Sequence, residues 1–162
     1  MRQLWAPWRM AYVGGERTHQ GCVLCAIGRG EDDENRVVER AELTYTVLNL
    51  FPYSSGHLMV VPLRHAGDVT ELTEAEAAAV FAGAQRAVRA LREALNPDGL
   101  NLGVNQGTAA GAGIAEHVHL HVVPRWNGDT NFMPVLADVK VIPEHMEATA
   151  ARLREAYAKL TQ

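Results

Sequence analysis

Residues 116–126 read Glu-His-Val-His-Leu-His-Val-Val-Pro-Arg-Trp. His117, His119 and His121 alternate with Val118, Leu120 and Val122. Successive side chains of a strand point to opposite faces, so this pattern puts three imidazoles on one face at intervals of roughly 7 Å and sends the aliphatic set into the core. A single histidine on a strand is ordinarily a hydrogen-bonded polar residue. Three in strict alternation make a chemical surface, because imidazole titrates near neutrality and carries both a donor and an acceptor. Two chemistries could use it: ligation of a metal such as zinc by neutral imidazole, or nucleophilic attack by one ring while its neighbours bind anionic oxygens.

The preceding loop, residues 105–113, reads Asn-Gln-Gly-Thr-Ala-Ala-Gly-Ala-Gly. Small residues let backbone approach a ligand closely and let N–H groups converge on an anion, which suits a phosphate. Cys22 and Cys25 form a C-x-x-C pair, the only cysteines in the chain. Two cysteines cannot build a secreted disulfide framework, and in a cytosolic protein such a pair points to metal or redox chemistry.

The elements that must position these residues follow from periodicity and punctuation. Residues 36–40 and 44–50 are expected as short strands, with Tyr45 and Val47 alternating against Thr44 and Thr46. A Pro/Gly turn over residues 51–56 leads to a buried strand over 58–61, stopped by Pro62. Thr73 and Glu76 form a capping box opening a helix whose expected apolar face is Ala77, Val80, Phe81, Ala84, Val88, Leu91 and Leu95, ended by Asn96-Pro97. Residues 100–105 and 117–123 are the remaining strands. Pro143 fits the first turn of a terminal helix with a stripe of Met146, Ala150, Leu153, Tyr157 and Leu160. The cysteine pair is expected on a polar loop, followed by a charged turn region over residues 28–35. Strands do not alternate with helices as parallel units would, so the expected class is α+β, with a mostly antiparallel sheet of about five strands and two main helices.

The pattern His117-x-His119-x-His121, followed by hydrophobics and Pro124-Arg125, resembles the histidine triad (HIT) signature. The segment 49–62, Asn-Leu-Phe-Pro-Tyr-Ser-Ser-Gly-His-Leu-Met-Val-Val-Pro, resembles the same superfamily's nucleoside-binding strand and Gly-His turn. The likeness covers roughly residues 22–126 and implies a fold that usually dimerises by joining two sheets. Carried over by position, it implies that His119 is a nucleophile forming a nucleotidyl-histidine, with its other ring nitrogen held by a backbone carbonyl. His121 contacts the phosphate near the leaving group and His57 supports the site. Asn49 binds ribose, Leu50 lines the base pocket, and Asn105 with the loop through Gly111 and Gly113 holds the α-phosphate. The family commonly has Gln-Ser or Gln-Thr shortly before the triad. Here Gly111-Ala112-Gly113-Ile114 stands there in a loop one residue longer, so backbone amides or Gln106 must replace that side chain.

The stretches Trp5-Ala6-Pro7-Trp8-Arg9, Pro124-Arg125-Trp126 and Gly128-Asp129-Thr130-Asn131-Phe132 resemble a bacterial branch associated with phosphorolysis of diadenosine tetraphosphate to ATP and ADP. Trp126 has two readings there, substrate contact and packing aromatic. The segment around Gly56-His57 also resembles galactose-1-phosphate uridylyltransferase. Other readings stay open: a hydrolase of dinucleoside polyphosphates or nucleoside phosphoramidates, a nucleotide-sensing module without turnover, or three histidines holding a catalytic zinc. Cys22 and Cys25 have zinc-ligand spacing but need two more ligands. His65 and His117 are the candidates, and zinc-bearing histidine triad proteins resemble this arrangement at all four positions, which implies a structural ion. The alternatives are two inert thiols or a redox pair. The redox pair is disfavoured because Cys22 is not expected to follow a strand and open a helix.

Composition limits the partners. The 162 residues suit one domain, with residues 1–21 as an arm and 127–162 as an extension carrying the last helix. A formal charge of -4 argues against a nucleic-acid-binding face but leaves room for small phosphorylated ligands such as a purine nucleotide, a dinucleoside polyphosphate or inorganic phosphate. No stretch reaches membrane-spanning length, and the start lacks a signal-peptide core, so a cytoplasmic location is expected. His19 and His145 are expected at the surface.

Overall fold

The computed structural model describes residues 21–129 and 144–160. The aromatic arm, His19, residues 130–132 and Pro143 lie outside them. In chain order the elements are α1 (Val23–Arg29), α2 (Asp32–Asn35), β1 (Val37–Arg40), β2 (Thr44–Leu48), β3 (Leu58–Pro62), α3 (Glu74–Leu95), β4 (Gly99–Val104), β5 (Leu120–Arg125) and α4 (Met146–Leu160), with 3₁₀ turns at Val69–Glu71 and Thr108–Ala110. The five strands form one sheet in the order β1-β2-β3-β5-β4. Every neighbouring pair is antiparallel.

Helices α3 and α4 cover one face of the sheet. Val38, Leu48, Leu58, Val60 and Val122 pack there against Ala84, Ala87, Ala90 and Leu91 of α3 and Leu153, Ala156 and Tyr157 of α4. Alanines face the strands because the helix lies close: a Cβ on Gly83 would come within 2.7 Å of Val60 Cγ1. Of the expected stripe of α3, Ala84 and Leu91 are buried and Val80, Val88 and Leu95 pack half-buried against the core, joined by Gly83, Ala87 and Ala90, while Phe81 is 60% exposed. Ala77 and Leu160 are likewise exposed. The helix start follows the expectation: Thr73 accepts from the Glu76 amide, and Glu76 accepts from the Thr73 amide at 2.8 Å. Arg64 clamps the same carboxylate with two bonds of 2.7 Å. Asn96 ends the helix in the left-handed conformation.

The opposite face carries the chemistry, and it is partly covered. Leu24 of α1 sits on Tyr45, Val47, Met59 and Val61, and the Tyr45 hydroxyl donates to the Leu24 carbonyl at 2.6 Å. With cover on both sides, all of β2 is buried, Thr44 and Thr46 included. The cysteine segment is thus a helix and not a loop: Cys22 is the N-cap residue of α1. The expected charged turn contains the helical turn α2, whose left-handed cap is Arg36 (φ 58°), so β1 starts one residue later than expected.

The triad segment shows the largest departure from expectation. β5 pairs with β3 only from Leu120, opposite Val60, so His117, Val118 and His119 precede the ladder. Gly56 (φ 78°) makes the turn before His57; a Cβ there would clash with Leu95 Cδ1, and the left-handed backbone favours glycine.

Candidate active site and metal cluster

His121 stands directly opposite Met59 across the β3–β5 ladder, which sets it on the face away from the two main helices. Its ring meets that of His119 edge-to-face at 4.8 Å and that of His57 at 5.0 Å. All three are buried.

The hydrogen bonds settle which nitrogen of each ring carries the proton. His119 Nδ1 lies 2.8 Å from the His117 carbonyl. A carbonyl only accepts, so Nδ1–H donates and Nε2 keeps its lone pair. Burial holds the His119 ring below the ordinary histidine pKa, against the opposing pull of that carbonyl and of Glu116. At neutral pH it is therefore an uncharged imidazole with a nucleophilic Nε2. The Tyr53 backbone N–H donates to His57 Nδ1 at 3.0 Å, which leaves the His57 hydrogen on Nε2. That nitrogen is 2.9 Å from His121 Nδ1. His121 Nδ1 must accept, so its hydrogen sits on Nε2. A chain of fixed tautomers thus runs from Tyr53 through His57 to His121.

The other expected site residues vary in how far they join this cluster. Asn49 braces the turn: its Oδ1 accepts from the Phe51 amide at 3.0 Å and its Nδ2 lies 3.3 Å from His57 Nδ1. Leu50 is exposed beside it. Gln106 Nε2 donates to the Gly67 carbonyl at 3.1 Å, which ties the glycine loop to the segment after β3. Within that loop the amides of Ala110, Gly111 and Ala112 bond to the carbonyls of Gly107 and Thr108. Asn105 and Gly113 flank this closed turn, both half-buried. Trp126 is half-buried at the end of β5, its amide donating to Asp129. Tyr53 was missed by sequence reasoning. Its ring stacks at 4.7 Å from His57 and 5.9 Å from His121, and its place in the turn ahead of Gly56-His57 was the available signal.

His117 belongs to a second cluster. Cys22 Sγ is 3.3 Å and Cys25 Sγ 3.4 Å from its Nδ1, and Cys25 Sγ is 3.3 Å from His65 Nδ1. The four potential ligand atoms lie within 4.8 Å of one another. Around a tetrahedral zinc, bond lengths of about 2.3 Å to sulfur and about 2.0 Å to nitrogen put S and N roughly 3.5 Å apart, so the set fits that ion. His117 Nε2 donates to the Pro62 carbonyl at 2.9 Å, which presents Nδ1 as the ligating atom. Burial lowers the His117 pKa and keeps the ring neutral, the form that ligates. Burial, then the neighbouring Cys22, raises the Cys25 thiol pKa, and a coordinated cation would reverse this.

Comparison with known proteins agrees with the geometry. A family model described as "HIT domain" matches residues 29–128. The chain is 40% identical to a protein named AP-4-A phosphorylase from Mycobacterium tuberculosis (strain CDC 1551 / Oshkosh), across 98% of this chain and 86% of that protein. Among solved structures, a zinc-bound histidine triad family protein from Mycobacterium smegmatis superposes with a TM-score of 0.73 at 37% identity, covering 87% of this chain and 96% of its own. A hypothetical histidine triad nucleotide-binding protein from Sulfolobus tokodaii gives a TM-score of 0.71 at 27% identity, over 86% and 94% of the two chains. The match to the family model over residues 29–128, the 40% identity across 98% of the chain and the five-stranded antiparallel sheet together show that this chain belongs to the histidine triad (HIT) family.

Proposed function

We propose that this protein is a nucleotidyl-transferring enzyme that phosphorolyses diadenosine tetraphosphate to ATP and ADP. The observation that carries the reading is the 2.8 Å bond from His119 Nδ1 to the His117 carbonyl, which leaves Nε2 as the attacking atom. His119 Nε2 forms a P–N bond at an α-phosphorus while the P–O bond to the departing ATP breaks. ATP is a weak base, so no strong general acid is required. His121 Nε2–H, held in that tautomer by His57, donates to the oxygens on which charge builds. An oxygen of inorganic phosphate then attacks the adenylyl-histidine, breaks the P–N bond and leaves as ADP. Asn105, Gly111 and Gly113 line the α-phosphate, Asn49 reaches the ribose, and Leu50 and Trp126 flank the base. The likeness to the AP-4-A phosphorylase supports phosphate as the acceptor.

Cys22, Cys25, His65 and His117 would hold one zinc ion that links α1 to the sheet; with four protein ligands it has a structural role. A reducing cytoplasm would keep both cysteines as ligands. A homodimer joined through β4 is supported by that strand's position at the sheet edge, with Leu102 46% exposed. Incubating the protein with diadenosine tetraphosphate, with and without inorganic phosphate, tests the reaction. ATP plus ADP formed only with phosphate, and none from His119→Ala, is the expected result. AMP plus ATP in both conditions would make it a hydrolase, and nucleotide binding without turnover would make it a sensor.

A further inference from the structure

The two clusters share one peptide unit. The carbonyl of His117 accepts from His119 Nδ1 and so decides which nitrogen of His119 attacks. The N–H across the same peptide bond, on Val118, donates to the Ala66 carbonyl at 2.7 Å. β5 pairs with β3 only from Leu120 onward, so this peptide lies outside the β3–β5 ladder. Its restraints come from elsewhere. On one side is the His117 ring, held through Nδ1 by Cys22 and Cys25 and through Nε2 by the Pro62 carbonyl. On the other is Ala66, the residue next to His65, whose Nδ1 lies 3.3 Å from Cys25 Sγ.

We propose that Cys22, Cys25 and His65 are positioning residues for the nucleophile: by drawing His65 and His117 onto one centre, they clamp both ends of the His117–Val118 peptide and so hold His119 in its Nδ1–H tautomer. A purely structural cluster would hold α1 against the sheet and nothing more. This one also sets the orientation of the carbonyl that His119 depends on. The proposal rests on the reading of His119 as the nucleophile and of the cluster as a zinc site.

The variant to make is His65→Ala. His65 is the exposed member of the four potential ligands. Zinc content, Val118 amide exchange, the ¹⁵N shifts of the His119 ring, and kinetics with diadenosine tetraphosphate and phosphate would be measured on wild type and variant. The expected result is loss of zinc, faster Val118 exchange, His119 shifts moving toward a mixture of tautomers, and a fall in kcat of roughly 10-fold to 100-fold with KM changed far less. His65→Cys, which keeps four ligands, should restore zinc, Val118 protection and kcat together. Should His65→Ala fail to fold, wild type stripped by a chelator and shown folded by circular dichroism supplies the same readouts. Loss of zinc with Val118 protection and His119 shifts unchanged would overturn the proposal, as would a wild type that has the Nδ1–H tautomer without binding zinc. Exchange and shifts are read without substrate. A wild type inert toward diadenosine tetraphosphate therefore sinks the reaction assignment while leaving the clamp to be judged on its own readouts.

Discussion

His57 shows how much a single buried side chain decides. It accepts one backbone N–H, and that one bond dictates the protonation pattern of two rings. Replacing it by alanine leaves His121 Nδ1 without its donor, so His121 samples both tautomers and loses its aim at the phosphoryl oxygens. His57→Ala is expected to lower kcat about 100-fold while KM moves little, as for loss of an interaction made mainly in the transition state; steady-state kinetics would check it. The pH profile follows from His119. Its folded pKa lies below 6.5, so protonation removes the nucleophile only in acid. The ratio kcat/KM should rise through a pKa below 6.5 and then stay level through neutrality, provided no other group titrates. The same depression means that the unfolded chain binds more protons below 6.5, so His119 makes stability fall as the pH drops. A midpoint above 6.5 in the profile would contradict the buried, uncharged ring.

At the scale of elements, the link between β3 and α3 is electrostatic as well as apolar. Arg64 follows β3, and its guanidinium grips Glu76 inside the capping box of α3. Arg64 first, then the Thr73 amide, holds the Glu76 carboxyl down to about 2 from an ordinary 4.5. A depressed carboxylate contributes stability that is complete above about 4.5 and is lost as the pH falls toward 2. Glu76→Gln should therefore unfold more readily than wild type at neutral pH and show a shallower stability slope between those two values. Urea unfolding at a series of pH values would measure it. An unchanged slope would mean that the clamp is not formed in solution.

For the whole molecule, the sheet divides the work. One face is closed by α3 and α4, while the other holds α1, the metal cluster and the histidines. Among the described residues β4 is an edge strand and presents Leu102 and Val104 to solvent, and open edges are ordinarily covered. A Leu102→Lys, Val104→Lys double variant should sediment as a monomer where wild type sediments as a dimer, with unchanged far-UV circular dichroism. A monomeric wild type would remove the dimer from the proposal.

Sequence alone determined the local rules. Alternation along residues 117–123 announced three histidines opposite an aliphatic set, because a strand repeats every two residues. Thr73 and Glu76 announced the helix start, because cap chemistry acts over three residues. Asn49 and Gly56-His57 identified the partner segment through its resemblance to the family's motif. Several features were decided only by the tertiary structure, because each depends on contacts between residues distant in sequence. Phe81 points to solvent, while at Gly83 α3 comes too close to Val60 for any side chain to fit. The cysteine segment became a helix because Leu24 finds a pocket on β2 and β3 that no local pattern reveals. Gln106 turned to Gly67, a partner 39 positions away. The His117 ring meets Cys22, 95 residues distant, a pairing the family resemblance implied and only the fold could bring about. Periodicity set three histidines on one face, whereas folding gathered His119 and His121 with His57 and turned the His117 ring to Cys22 and Cys25.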